Sequence, residues 1–174
     1  LLISDYHYRT VKEDLYQKAL PWFKKSQKPV ALDSRFRLLR FPGATVATPN
    51  EPEVEEALKT RIDDDPAALR RAGRDLLKKL RSPALLITRG SRGMALFEKG
   101  KPPFHLPIFG TADIVDVTGA GDTVISVMTA ALACGATFQQ AARLANYAGG
   151  IVVMKKGTTA VTPLELKQAI VSEN

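Results

Sequence analysis

The sequence predicts an α/β fold in which a mainly parallel sheet carries helices on both faces. Two observations predict it. Short runs bounded by turn or polar residues alternate with longer segments of helical period, and four of the runs are apolar enough for strands buried on both faces. Those strands are residues 1–4, 29–32, 44–48 and 84–88, with helices over 11–25, 52–59 and 66–80 between them. Residues 93–98 and 104–107, separated by Lys99-Gly-Lys-Pro-Pro103, read as a hairpin at the sheet edge, where prolines are tolerated. Helices follow over 120–134 and 138–154. A last one starts at Pro163, with Thr162 before it and Glu165 after it as the start signal.

The first run opens the chain with no preceding turn or cap. A buried parallel strand needs a neighbour on each side, so residues 1–4 imply further sheet upstream. The expectation is therefore one domain, 1–174, forming the C-terminal part of a larger one.

Composition narrows the function classes. With 45% hydrophobic and 25% charged residues, nothing argues for disorder. No apolar run approaches the roughly twenty residues of a membrane span and no signal peptide opens the chain, so a cytoplasmic protein without a membrane partner is expected. Cys134 is the only cysteine, which rules out an internal disulfide and suggests a small core residue. His7 and His105 lie far apart without ligand spacing, which argues against a histidine metal site. The net charge of +7 suits an anionic substrate. Yet Lys24, Lys25, Lys78 and Lys79 fall at helix ends, where cations are favoured anyway, and no nucleic-acid motif accompanies them.

The chemistry concentrates in Asp116-Val-Thr-Gly-Ala-Gly-Asp122. From Ala120 onward, Val124, Val127, Met128, Ala131 and Leu132 recur at three- and four-residue spacing, so this helix buries one face and exposes its first turn. The opening amides of a helix have no partners within it. With the aligned peptide dipoles they amount to roughly half a positive charge, enough to hold phosphate oxygens. Asp122 among them would repel a phosphate unless it served the acceptor, by holding and deprotonating an alcohol during phosphoryl transfer. A plainer reading has Thr118 capping the helix and Asp122 favouring its dipole.

Other segments gain weight beside this one. Thr88-Arg-Gly-Ser-Arg-Gly93 joins two strands; its glycines turn the chain beneath a nucleotide with Arg89 or Arg92 near phosphates, or they make an ordinary turn. Asn146 lies on the alanine-rich stretch 141–150, where a flat ring can approach, and a local bridge explains it equally. Asn50 and Glu53 form an N-cap and capping-box pair, yet they also stand at a strand's C-terminal end. Open α/β sheets bind ligands there, and hydrated magnesium favours such sparse carboxylate contacts. Lys155-Lys-Gly157 reads as a helix stop.

The 116–122 motif, Asn50-Glu51-Pro52-Glu53, the 88–93 turn and Ala145-Asn146 together resemble the ribokinase-like (PfkB) carbohydrate kinase family along almost the whole chain. The resemblance implies a three-layer α/β/α ribokinase-like fold with the N-terminal part and lid missing here. It implies Asp122 as catalytic base and the amides of Gly119, Ala120 and Gly121 as an anion hole. Nucleotide contacts are implied at Thr88, Gly90, Gly93 and Asn146, with Asn50 and Glu53 organising Mg2+ through water. ATP is the implied co-substrate, a sugar or sugar phosphate the acceptor, and a monovalent cation such as K+ a companion of the anion hole. A homodimer is expected, and no nucleic acid. Gly43-Ala-Thr-Val-Ala-Thr-Pro-Asn50, Lys156-Gly-Thr-Thr-Ala-Val-Thr-Pro-Leu-Glu-Leu166 and Ser4-Asp5-Tyr6 look most like the heptose 7-phosphate kinase branch. That branch usually continues Ser-Asp-Tyr with Gly-Lys-Gly, where this chain has His7-Tyr8-Arg9, and its Asp-Pro-Lys stands here as Asp33-Ser34-Arg35.

The expected activity is ATP-dependent phosphorylation of a sugar hydroxyl. The alternative is a non-catalytic nucleotide-binding relative or an inactive fragment. A dinucleotide-dependent oxidoreductase is disfavoured, because Val124 stands where the third fingerprint glycine belongs and no acidic residue follows about twenty positions on. A P-loop nucleotidase would need GxxxxGK[ST], which does not occur.

Overall fold

Six strands pair in the order of the sequence: β1 (Leu2–Asp5), β2 (Ala31–Ser34), β3 (Val46–Ala47), β4 (Ala84–Thr88), β5 (Met94–Glu98) and β6 (Phe104–Leu106). The computed structural model describes residues 1–8, 10–110 and 115–172; Arg9 of the His7-Tyr8-Arg9 departure lies outside them. β1 to β4 run parallel, and β5 and β6 complete the sheet antiparallel as the expected edge hairpin.

Each parallel strand is added on the same side of the last, so right-handed crossovers carry the intervening helices to one face. There α1 (Glu13–Lys25), α2 (Glu51–Leu58) and α3 (Pro66–Leu80) pack Tyr16, Leu20, Val54 and Leu76 against Leu32, Ala47, Leu85 and Ile87. The alternate residues Ala31, Val46, Ala84 and Leu86 face the other way. On that side α4 (Ala120–Ala133) and α5 (Phe138–Val153) supply Val124, Ile125, Met128 and Ala145, and α6 (Pro163–Ser172) packs on α5. The result is the three-layer α/β/α arrangement.

Where boundaries differ from expectation, proline explains two of them. β2 begins at Ala31 because Pro29 has no amide for the ladder and offers only its carbonyl, which takes the Leu1 ammonium at 2.8 Å. β3 shrinks to two residues because Pro49 interrupts pairing; the Thr88 amide reaches its carbonyl at 3.0 Å, and Asn50 bridges Thr88 beyond it. Two local readings are corrected. Cys134 is exposed at the end of α4 and forms no part of the core. Gly157 does not stop α5, which ends through Met154 in right-handed conformation; Gly157 follows later at φ 74°.

Gly73 lies inside α3 for want of room. A Cβ there would stand 2.4 Å from the ring of buried Phe97 on β5. Gly73→Ala is therefore expected to lose about 1–3 kcal/mol by overpacking, outweighing the roughly 1 kcal/mol alanine gains as a helix former. Urea unfolding checks this, and an unchanged or raised midpoint would contradict the close approach of α3 to β5.

Candidate active site

All four parallel strands release their C-terminal residues along one edge of the sheet, and the first turn of α4 stands against that edge. Two adjoining chambers of about 490 and 350 Å3 open there. The first is polar, with Asp33, Arg35, Thr48, Glu53 and Asp122 on its walls. The second is lined by small and apolar residues, among them Gly90, Gly93, Met94, Ile108 and Val153, together with Ala120 and Asn146. Asn50, Thr88, Val117 and Gly121 border both. A larger cleft of about 850 Å3 opens at the opposite end of the sheet beside Arg74, Lys78, Arg81 and Lys99. Its one carboxylate, Glu98, is paired with Lys101 at 2.7 Å, and no helix start faces it.

The loop before α4 is shaped by Asp116, which accepts the Thr118 amide at 2.9 Å and the Gly157 amide at 3.1 Å. The Thr118 side chain, then these two amides, hold the Asp116 carboxyl below its usual range. Thr118 does not cap the helix. Gly119 occupies that position at φ 79°, a left-handed conformation that favours glycine, and no side chain caps α4. The Gly119 carbonyl takes both the amide and the hydroxyl of Thr123 at 2.9 Å. The amide of Ala120 is donated to Val117 at 3.2 Å, whereas those of Gly119 and Gly121 have no partner among the described residues. Positive partial charge is thus presented beside Asp122, whose carboxylate accepts Tyr6 Oη at 2.8 Å and Ser4 Oγ at 3.3 Å.

Across the polar chamber, α2 opens with the expected capping box: Asn50 Oδ1 accepts the Glu53 amide at 2.8 Å, and Glu53 Oε2 accepts the Asn50 amide at 2.9 Å. The two side chains also hydrogen-bond to each other, and both stay on the wall of the polar chamber, where a phosphate oxygen or a water can reach them. Burial raises the carboxyl of Glu53 above its ordinary range. Asp33 is pushed up to about 7 by burial and then by the charges of Glu53, Asp122 and Asp5. The Thr48 hydroxyl, on the same wall, is buried without a hydrogen-bond partner. Among the described residues no three side chains of His, Cys, Asp or Glu gather closely enough to hold a metal directly. What the residues do fit is a hydrated magnesium ion shared with phosphate: oxygen donors, mutually repelling carboxylates and one unmet hydroxyl.

On the second chamber, Gly93 at φ 74° is demanded by packing, since a Cβ there would meet the Leu106 carbonyl at 2.1 Å. Arg89 and Arg92 do not reach into the cleft as free cations. Arg89 Nε donates to buried Glu51 at 2.7 Å, and Arg92 pairs with Glu51 and Asp64. Asn146 borders the chamber with its amide nitrogen committed to the Pro107 carbonyl at 2.8 Å. Asp122, the 119–121 turn, Asn50, Glu53, Thr88, Gly90, Gly93 and Asn146 therefore line the two adjoining chambers, whereas Arg89 and Arg92, the cations expected near phosphate, do not. Sequence reasoning missed Tyr6 and Asp33 as members, and Ser4 as a partner of Asp122. Two-residue spacing sets Ser4 of β1 and Tyr6 just beyond its end on one side of the chain, but nothing in the chain says which helix covers that side.

A glycine-lined chamber and an acidic chamber thus meet at a helix start, on the carboxyl edge of a doubly covered sheet. Residues 1–165 match the model of the pfkB family carbohydrate kinases, and the chain belongs to that family. The bifunctional protein HldE of Nitrosococcus oceani is 44% identical over 171 residues, covering 98% of this chain and 35% of that protein. HldE of Geobacter sulfurreducens is 41% identical over 95% of this chain and 34% of its own length. The chain thus spans about a third of the length of these curated relatives. Among solved structures, Arabidopsis thaliana ribokinase complexed with ribose and ATP superposes with a TM-score of 0.83 at 24% identity, over 97% of this chain and 55% of that one. Escherichia coli phosphofructokinase-2 in complex with potassium gives 0.78 at 17% identity, over 93% and 53%. These likenesses establish the fold.

The raised Asp33 carboxyl has a consequence for stability. The folded state holds its proton to about pH 7 while the unfolded chain releases it near 4, so this group destabilises the fold progressively as pH rises between them. Asp33→Asn is expected to gain stability over the parent at pH 8 and little at pH 4.5, read from denaturation midpoints. An equal gain at both would show that Asp33 is not held in its neutral form.

Proposed function

We propose that the chain carries the chemistry of ATP-dependent phosphorylation of a sugar hydroxyl. The observation that supports this best is the Asp122 carboxylate beside unpartnered α4 amides at the meeting of the two chambers. In this reading the nucleotide lies along Thr88, Gly90, Gly93 and Asn146, and the acceptor enters the polar chamber. Asp122 takes the proton of the acceptor hydroxyl as its oxygen bonds to the γ-phosphorus. The bond from that phosphorus to the bridging oxygen breaks, and ADP leaves. Amides of Gly119 and Gly121 stabilise charge on the transferring group, joined by Ala120 when it releases Val117. Glu53 and Asn50, with Asp33 beside them, would hold magnesium through water; when bound it neutralises nucleotide phosphate charge.

The finer reading is a heptose 7-phosphate acceptor. The branch-like segments 43–50 and 156–166 support it, and so does Arg35, which places a cation on the polar chamber in the position where the branch pattern has lysine. Acceptor panels test it: turnover should favour heptose 7-phosphate over the unphosphorylated sugar, and the reverse preference would remove the phosphate from the proposal.

Asp122→Asn tests the central claim in the intact enzyme. Turnover is expected to fall about a hundredfold or more with ATP binding retained and the circular dichroism unchanged. Near-normal turnover would refute the base assignment. ATP binding without sugar-dependent ADP release in the unaltered enzyme would favour a non-catalytic relative.

A further inference from the structure

The Ser4-Asp5-Tyr6 triplet has no part in the scheme above, yet all three side chains are committed. Ser4 and Tyr6 stand two residues apart at the end of β1, so they share a face, and both donate to Asp122. Asp5 faces the other way and is only 4% exposed. Arg37 grips both its oxygens, through Nε at 3.1 Å and Nη2 at 2.7 Å. The Ser34 hydroxyl at 2.8 Å and the His7 amide at 3.1 Å fill its remaining acceptor sites. Arg37 is itself tied to the Val11 carbonyl at 2.9 Å. The end of β1 is therefore anchored in the α1 face of the sheet while its alternate side chains reach into the cleft.

Asp122 needs such a partner. A short carboxylate in the first turn of a helix is drawn to the open amides beside it, and such bonds would turn it away from the acceptor. Tyr6 competes for it from the opposite wall. We propose that Ser4-Asp5-Tyr6 is a positioning device for the catalytic carboxylate: Asp5 anchors the strand end, and Tyr6 with Ser4 fixes the orientation of Asp122. The inference rests on Asp122 being the base. Tyr6 takes the tighter hold, on Oδ2, which leaves Oδ1, with its longer Ser4 contact, as the oxygen that receives the acceptor's proton. A phenol suits the task because it stays a donor. Burial, the bond to Asp122 and the charges of Asp122 and Asp33 push Tyr6 up to about 12.

The test is Tyr6→Phe, which removes one hydroxyl and keeps the ring. In the intact enzyme kcat should fall about tenfold, with KM for ATP and the melting temperature unchanged, and the substitution should have no further effect in an Asp122→Asn background. An unchanged kcat, a lowered melting temperature without a loss in kcat, or the same fold-loss in the Asp122→Asn background would overturn the proposal. A second measurement needs no activity. In this chain, NMR titration of ring-labelled tyrosines, with Tyr6 assigned by its loss in Tyr6→Phe, should show the Tyr6 phenol moving down from about 12 in Asp122→Ala. An unmoved phenol would overturn the positioning role and leave the phosphoryl-transfer reading intact. Normal turnover of Asp122→Asn beside a shifted phenol would instead overturn that parent reading and the proposal with it.

Discussion

The first turn of α4 brings together two groups of opposite preference: backbone amides that attract anions and a carboxylate that repels them. They serve one site only if the loop before the helix is rigid and the carboxylate is held clear of the amides. Asp116 provides the rigidity by joining Thr118 to Gly157, so the segment entering α4 is tied to the segment leaving α5. The sheet provides the restraint on Asp122, through Ser4 and Tyr6. The local geometry of seven residues thus depends on contacts from both ends of the chain.

Packing sets how close those contacts come. α4 lies on the sheet through Val124, Ile125 and Met128, and α5 approaches it with Ala141, Ala142, Ala145 and Gly149. A Cβ on Gly149 would already stand 3.0 Å from Val124. Small residues on α5 therefore help decide where α4 begins relative to the strand ends, and hence how far Asp122 stands from β1. Their role is steric, although they border a cleft.

Charge in the cleft is distributed unevenly, and the buried ion pairs explain why. Arg89 and Arg92 are spent on Glu51, which fastens the 88–93 loop to the start of α2. Breaking a largely buried pair such as Arg89–Glu51 typically costs about 3–5 kcal/mol, so the Arg89 guanidinium is poorly placed to follow a ligand, and the more exposed Arg92 is held by Glu51 and Asp64 together. Recognition of the nucleotide phosphates in the proposed reaction falls to backbone amides, Asn50 and a bound cation. The polar chamber, with Asp33, Glu53 and Asp122 on its walls, is acidic enough to favour that cation.

Local sequence was sufficient for the elements and for the central motif. Apolar period placed β4 at 84–88 and α3 at 66–80, and the Asn50–Glu53 box and the start of α4 were legible from residue type alone, because each depends on neighbours a few positions away. Strand lengths at Pro29 and Pro49, the exposure of Cys134 and the capture of Arg89 and Arg92 by Glu51 were not legible in that way. Each is set by a partner that the chain brings from another element. The same holds for the site: sequence by itself determined that 116–122 would open a helix with free amides and an acid. Only the tertiary structure decided that Ser4 and Tyr6, more than a hundred residues earlier, would meet that acid. Hydrogen bonds and side-chain period report local geometry, whereas which face of β1 meets α4 follows from the handedness of the crossovers and the packing of two helix layers on one sheet.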